Sequence, residues 1–192
     1  MINKVKNNKA LIFDLDGTVA DTMPLHYEAS QIVCNKHGFD FPLEYFYSEA
    51  GRPSKDVFID LMIKLETGLD GAVLAAKKEK ILLELLPTVK LIQPVFEVMK
   101  HYHKKIPFAI GSGGERKAVI STLEALQITT YFDAIVSADD VLHHKPFPET
   151  FLKCANLLKV TPEHCVVFED GNPGIIAAKK AEMDVIDVRN YI

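Results

Sequence analysis

Short, unbroken apolar runs recur along the chain, separated by stretches whose apolar residues return every three or four positions. The runs Ala10–Phe13, Phe108–Gly111, Ala134–Ser137 and Val166–Phe168, with a fifth at Val185–Val188, show no polar alternation. A strand covered on both faces has that signature, because both rows of its side chains are buried. Between them, Glu115–Leu126 sets Ala118, Val119, Thr122, Leu123 and Leu126 at helical spacing, and Pro148–Leu158 does so with Phe151, Leu152, Ala155 and Leu158. Strands alternating with helices predict a doubly wound α/β fold around a parallel sheet. The stretch 22–90 breaks the rhythm, with helical patterning at Tyr27–Lys36, Pro53–Leu65 and Asp70–Leu86 and no strand. The expected organisation is an α/β core from residues 1–21 and 91–192, with a helical cap over residues 22–90 inserted after the first strand. The Pro87 and Pro94 region marks the return to the core.

In open α/β sheets, ligands bind at the carboxyl ends of the strands. The residues placed there are Asp14 and Asp16, then Ser112, then Asp139 to Lys145, then Glu169 and Asp170. Asp14-Leu-Asp16-Gly17-Thr18 brings two carboxylates together, and these repel unless a cation lies between them or one is protonated. An ionised carboxylate can attack phosphorus, and its neighbour can protonate a departing alcohol and then take a proton from water. Gly17 permits a sharp turn and a close approach of backbone N–H groups to phosphate. Taken alone, the same residues would also suit a calcium loop or a helix cap. Ser112-Gly113-Gly114 makes an anion nest at a helix start, or simply a strand–helix turn with Ser112 as its cap. Lys145, followed by Pro146, is either a fixed charge for phosphate or a solvated surface residue. The adjacent acids Glu169 and Asp170 suit an oxygen cage for Mg²⁺, or an exposed turn. Together the four segments supply a nucleophile, an acid/base, phosphate donors, a cation and a metal cage, a complete site for phosphoryl transfer.

Bulk composition narrows the partners. Apolar residues make up 48% of the 192 residues, enough for a substantial core, and the formal charge of -4 argues against nucleic acid as a partner. Cys34, Cys154 and Cys165 are scattered and have no metal-ligand spacing, so they read as reduced core thiols. No apolar run approaches the ~18 residues of a membrane span. The apolar run after the polar N-terminus ends at Asp14, too soon for a signal peptide. A cytoplasmic monomer is the expectation.

The combination Asp-x-Asp-Gly-Thr, Ser112 after the second strand, Lys145-Pro146 and Glu169-Asp170 with Gly174 resembles the haloacid dehalogenase-like hydrolases, over roughly Ala10 to Val188. The resemblance implies a Rossmann-like core with an inserted helical C1-type cap, and is strongest to the β-phosphoglucomutase-like branch. The runs Asp139–Pro148 and Cys165–Asp170 resemble bacterial fructose-1-phosphate phosphatases. It implies Asp14 as nucleophile and Asp16 as general acid/base, whose backbone carbonyl is a Mg²⁺ ligand. It further implies that Ser112 and Lys145 hold the phosphoryl group, and that Asp170 binds Mg²⁺ with Glu169 beside it. His26, twelve residues after Asp14, falls where mutases of this branch carry a histidine that orients the acid/base. Gly17, Thr18 and Gly113 are expected to bind phosphate, and His26, Arg52 and Lys55 to meet the rest of the substrate.

The expected activity is therefore Mg²⁺-dependent hydrolysis of a small phosphorylated metabolite, such as fructose 1-phosphate, through an aspartyl-phosphate. A phosphosugar mutase is the alternative, but Ser54 stands where the mutase pattern places the arginine that grips a second phosphate. Dehalogenases lack the second aspartate, so Asp16 points to phosphorus chemistry. A receiver-like phospho-aspartate switch would share the acidic pocket and the lysine, but would lack Asp16 and the helical insert.

Overall fold

The computed structural model describes residues 1–5 and 8–192. Five strands, β1 (Ala10–Phe13), β2 (Phe108–Gly111), β3 (Ala134–Val136), β4 (Cys165–Glu169) and β5 (Asp184–Asp187), form one parallel sheet in the order β3-β2-β1-β4-β5. β1 is central and buried throughout, because it is covered on both faces. Leu11 and Phe13 pack with α5 (Gln93–Tyr102) and α6 (Arg116–Ala125) on one side. Ala10 and Ile12 pack with α7 (Glu149–Leu158) and α8 (Asn172–Lys180) on the other. Phe13 stacks on Phe168 of β4 at 4.7 Å and meets Phe108 of β2 edge-on at 5.4 Å. The chain leaves β1 toward β2 and β3 on one side and returns as β4 on the other. The crevice made by this change of direction lies at the carboxyl ends of β1 and β4.

Four helices stand between β1 and α5, namely α1 (Met23–Asn35), α2 (Leu43–Ser48), α3 (Ser54–Lys64) and α4 (Gly71–Leu85). They bury an apolar centre of their own around Val33, Phe41, Phe58, Leu61 and Leu74. Asp70 begins α4, its carboxylate accepting the free N–H groups of Ala72 at 2.9 Å and Val73 at 3.2 Å. A separate seam of Ala29, Leu82, Leu86 and Ala118 joins this layer to α6. The two connections to the core run side by side. Asp21 N–H donates to the Lys90 carbonyl at 2.8 Å, and Ile92 N–H donates to the Val19 carbonyl at 2.9 Å.

The five strands lie where the apolar runs place them, β1 and β2 at the same ends and the other three with ends shifted by one residue. Helices α2 and α5 stand out among those the pattern did not mark. α2 is six residues long and has no buried residue, too short to show a period. α5 has Pro94 in its first turn, where proline's missing N–H costs nothing. The proline starts this helix rather than interrupting the chain between elements.

Candidate active site

Backbone hydrogen bonds set the site. Asp14 N–H donates to the Phe168 carbonyl at 3.0 Å and Ser112 N–H to the Val136 carbonyl at 2.9 Å, carrying the sheet pairing one residue past the strands. Asp14 and Glu169 therefore emerge next to each other. Lys145, only 2% exposed, reaches between them from the loop after β3. Its Nζ donates to Asp14 Oδ1 and to Glu169 Oε2, each at 2.7 Å. Burial alone would make the lysine lose its proton more readily, but the two carboxylates more than offset this and raise its pKa. One ammonium thus faces three acids, since Asp170 completes the group with Asp14 and Glu169, and their nearest oxygens all lie within 4.8 Å of one another.

The acids show the imbalance. Burial and then the charge of Asp14 push Glu169 up to about 8 and Asp170 up to about 7. Asp14 is raised too, chiefly by burial, with Lys145 opposing and Asp16 adding to the rise. A cluster of hard oxygen donors short of positive charge fits a small divalent cation such as Mg²⁺. Asp170 is held in place by Thr18, whose Oγ1 donates to Asp170 Oδ1 at 3.0 Å. Gly17, with φ at +84°, turns the chain tightly there, and a Cβ would collide with the Asp170 carboxylate.

Gly17 and Thr18 are both packed against the Asp170 carboxylate. The Thr18 side chain is fully buried and bonded to Asp170, and the space beside Gly17 is filled by the same carboxylate. Lys55 sits exposed in the first turn of α3. Ser54, one residue earlier, is the one that turns inward.

Asp16 has different surroundings, although it is only two residues from Asp14. Its Oδ1 accepts from the Thr22 hydroxyl at 2.6 Å and faces His26 Nε2 at 3.2 Å. His26 Nδ1 meets Lys78 Nζ at 2.7 Å. With Nδ1 accepting from the ammonium, Nε2 carries the proton and donates to Asp16. Burial would raise the Asp16 carboxyl, but His26, Thr22 and Lys78 hold it down at about 2. Lys78 is itself 2% exposed and also donates to Ser54 Oγ at 3.0 Å and Glu79 Oε1 at 2.9 Å. Thr22, Lys78 and Glu79 were not singled out from the sequence. Lys78 had a signal, since it interrupts the apolar stripe Leu74–Lys78–Leu82 on the buried side of α4.

The opposite side of the crevice carries Ser112, buried, whose Oγ accepts from Gly114 N–H at 2.9 Å and lies 3.4 Å from Asp16 Oδ2. Gly113 lines the cleft directly, and a Cβ there would run into the Gly51 carbonyl of the helical layer. That layer therefore closes down onto the catalytic edge. It contributes Arg52, His26, Lys78, Glu49 and Glu79 to the cleft wall, beside Phe41, Phe46 and Phe58. Arg52 lines the cleft, and its guanidinium is held by Glu49 and by Asp60, the latter at 2.8 Å. The three cysteines are buried and free. No helix among the described residues is long and apolar enough to cross a membrane.

A profile of the haloacid dehalogenase-like hydrolases matches residues 11–188. This chain belongs to that family. Among relatives of this haloacid dehalogenase-like hydrolase, the fructose-1-phosphate phosphatase YqaB of Escherichia coli is 40% identical, over 93% of this chain and 95% of the relative. A phosphorylated carbohydrates phosphatase of Thermotoga maritima is 31% identical, over 93% of this chain and 83% of the relative. The crystal structure of β-phosphoglucomutase from Clostridium difficile superposes with a TM-score of 0.83 at 26% identity, covering 93% of this chain and 83% of that one. The parallel sheet with flanking helices is thus the fold of the haloacid dehalogenase-like hydrolases.

Proposed function

We propose that the chain removes the phosphoryl group from a small sugar phosphate, fructose 1-phosphate or a close analogue, with Mg²⁺ and through a covalent aspartyl-phosphate on Asp14. The chain is a phosphoric monoester hydrolase. The observation that carries the finer reading is the contrast between its two neighbouring aspartates. Asp14 lies against Lys145 and the acidic cluster, and Asp16 lies against Thr22 and His26. One carboxylate is set for attack on phosphorus and the other for moving a proton.

Lys145 takes one oxygen of Asp14 and opposes the rise that burial gives its carboxyl, favouring the ionised form that attacks. An Asp14 oxygen attacks phosphorus, and the bond from phosphorus to the substrate oxygen breaks. Asp16 delivers a proton to the departing alkoxide. An incoming phosphate dianion repels the Asp16 carboxylate and raises its affinity for a proton above the resting level, so that Asp16 takes this proton up from solvent as the substrate binds. Water then attacks the aspartyl-phosphate, Asp16 takes the water's proton, and the bond to Asp14 breaks. Ser112 Oγ and the amides at Gly113 and Gly114 are the donors for phosphoryl oxygens. Asp14, Glu169 and Asp170, with the Asp16 carbonyl, would hold Mg²⁺, which when bound neutralises charge on the phosphoryl group. The helical layer serves as a cap that excludes water and limits access to small substrates.

The test is phosphate release from a panel of phosphorylated metabolites, with Mg²⁺ and with EDTA. Release should require Mg²⁺ and vanish in Asp14→Asn, whose amide is no nucleophile. Asp16→Asn should lose about 10²–10⁴-fold in kcat on an alkyl phosphate, and far less on p-nitrophenyl phosphate, whose leaving group needs no proton. An equal loss on both substrates would remove Asp16 from the acid role.

A further inference from the structure

The two ends of the cleft differ in charge. At the core end, Lys145, the Ser112 hydroxyl and the Gly113–Gly114 amides offer positive charge and donors for one phosphoryl group. At the helical end, every basic side chain lining the cleft among the described residues is already matched. Arg52 is held between two carboxylates, Glu49 and Asp60. Lys78 has three N–H donors, and they reach Glu79, Ser54 and His26 at 2.9, 3.0 and 2.7 Å. His26 uses one ring nitrogen on Lys78 and the other on Asp16.

The acids on this wall are not exhausted in the same way. An ionised carboxylate accepts about four hydrogen bonds and donates none. Glu79 is held ionised against the pull of burial, mainly by Lys78 and His26. Glu49 and Glu79 both line the cleft, and their remaining lone pairs have hydroxyl groups as natural partners. Phe41, Phe46 and Phe58 fill out the wall and suit the C–H faces of a carbon skeleton. A second phosphate or a carboxylate placed here would meet the like charge of Glu49 and Glu79, and no basic side chain lining this end is unengaged among the described residues.

Resting on the phosphatase reading above, we propose that Glu49 and Glu79 are specificity determinants. They admit a monophosphate whose far end is an uncharged polyol and reject substrates carrying a second anionic group. The same wall disfavours a mutase, whose intermediate would carry two phosphates. Glu79 acts on the substrate, and its bond to Lys78 also positions the Lys78–His26–Asp16 relay, so its removal has two effects that must be separated.

A ratio separates them. The kcat/KM for fructose 1-phosphate divided by that for fructose 1,6-bisphosphate cancels any general loss through Asp16. In the wild type this ratio should exceed tenfold, and phosphoglycolate, which carries a carboxylate, should be a similarly poor substrate. In Glu79→Gln and in Glu49→Gln the ratio should fall at least fivefold, with KM for the monophosphate rising more than its kcat falls. A wild-type ratio near or below one, or ratios unchanged in both variants, would overturn the proposal. Should no phosphate ester be hydrolysed, p-nitrophenyl phosphate included, the phosphatase reading fails by itself. The charge selectivity is then read by calorimetric titration of the Asp14→Asn protein with the same two sugars. Tighter binding of the monophosphate supports the proposal, and equal or tighter binding of the bisphosphate overturns it.

Discussion

Asp14 and Asp16 are separated by one leucine, yet one is raised toward neutrality and the other is held at about 2. The difference comes from the partners each side chain reaches. Asp14 enters a buried cluster where negative charge exceeds positive, and Asp16 enters a chain of donors ending at Lys78. Lys78 touches none of the reacting atoms in this arrangement and acts through His26. Lys78→Met should therefore lower kcat roughly 10- to 100-fold on an alkyl phosphate. It should have a much smaller effect on p-nitrophenyl phosphate, and KM should move little. Equal loss on both substrates would make Lys78 a packing residue only. The meeting of the acids, Ser112 and Lys145 at one edge could be read from the sequence because each follows a strand, where side chains converge whatever the packing. Lys78 could not, because a lysine on an apolar helix stripe more often extends its ammonium to water. Only the tertiary fold shows that α4 ends up over the site. The bond from Thr18 to Asp170 was hidden for a related reason, since a hydroxyl next to a phosphate motif can serve either the phosphate or the carboxylate beside it.

At the scale of elements, strands were more legible than helices. A buried strand records its environment in every residue, so β1, β2 and β4 were visible as plain apolar runs. Helix α5 carries the clear pattern Val95, Val98, Met99, but Pro94 drew attention as punctuation. Contacts between the helical layer and the core were not legible, and the meeting of Gly113 with the Gly51 carbonyl is the most consequential of them. Gly113→Ala should leave thermal stability nearly unchanged, because the helical layer can lift slightly to make room. It should raise KM and lower kcat together by tenfold or more, as expected when a closing element cannot seat. Kinetics on a sugar phosphate alongside a melting curve check both statements. Phe41→Ala should act the other way. It empties the centre of the helical layer and should cost about 3–5 kcal/mol, visible as a large drop in denaturation midpoint.

For the whole molecule, pH and metal are the two levers. Asp140 ties the loop that carries Lys145 to the start of α6, accepting from Arg116 at 2.7 Å and from the Ser137 amide and hydroxyl at 2.8 and 2.7 Å. Partial burial would raise its carboxyl, but these donors hold it at about 2, below the ordinary 3.8. A depressed carboxyl contributes stability that is complete above pH 3.8 and is lost as pH falls through about 2. Asp140→Asn should accordingly melt lower than wild type at pH 7, and the two melting temperatures should converge between pH 4 and pH 2. Mg²⁺ should act on the acidic cluster independently of catalysis. At 100 times its Kd it should stabilise the fold by about 2.7 kcal/mol. The rise in Tm should be reversed by EDTA and much reduced in Asp170→Asn.

The paired hydrogen bonds between residues 19–21 and 90–92 have a consequence for how such a chain changes over time. The helical layer leaves and re-enters the core at points a single hydrogen bond apart. Its excision or replacement would not alter which strand lies beside which. The machinery that breaks the phosphate bond and the surface that chooses the molecule can therefore diverge at separate rates. Duplicated copies could acquire new substrates through changes in residues 22–90 alone, with the aspartates that carry out the chemistry never moving.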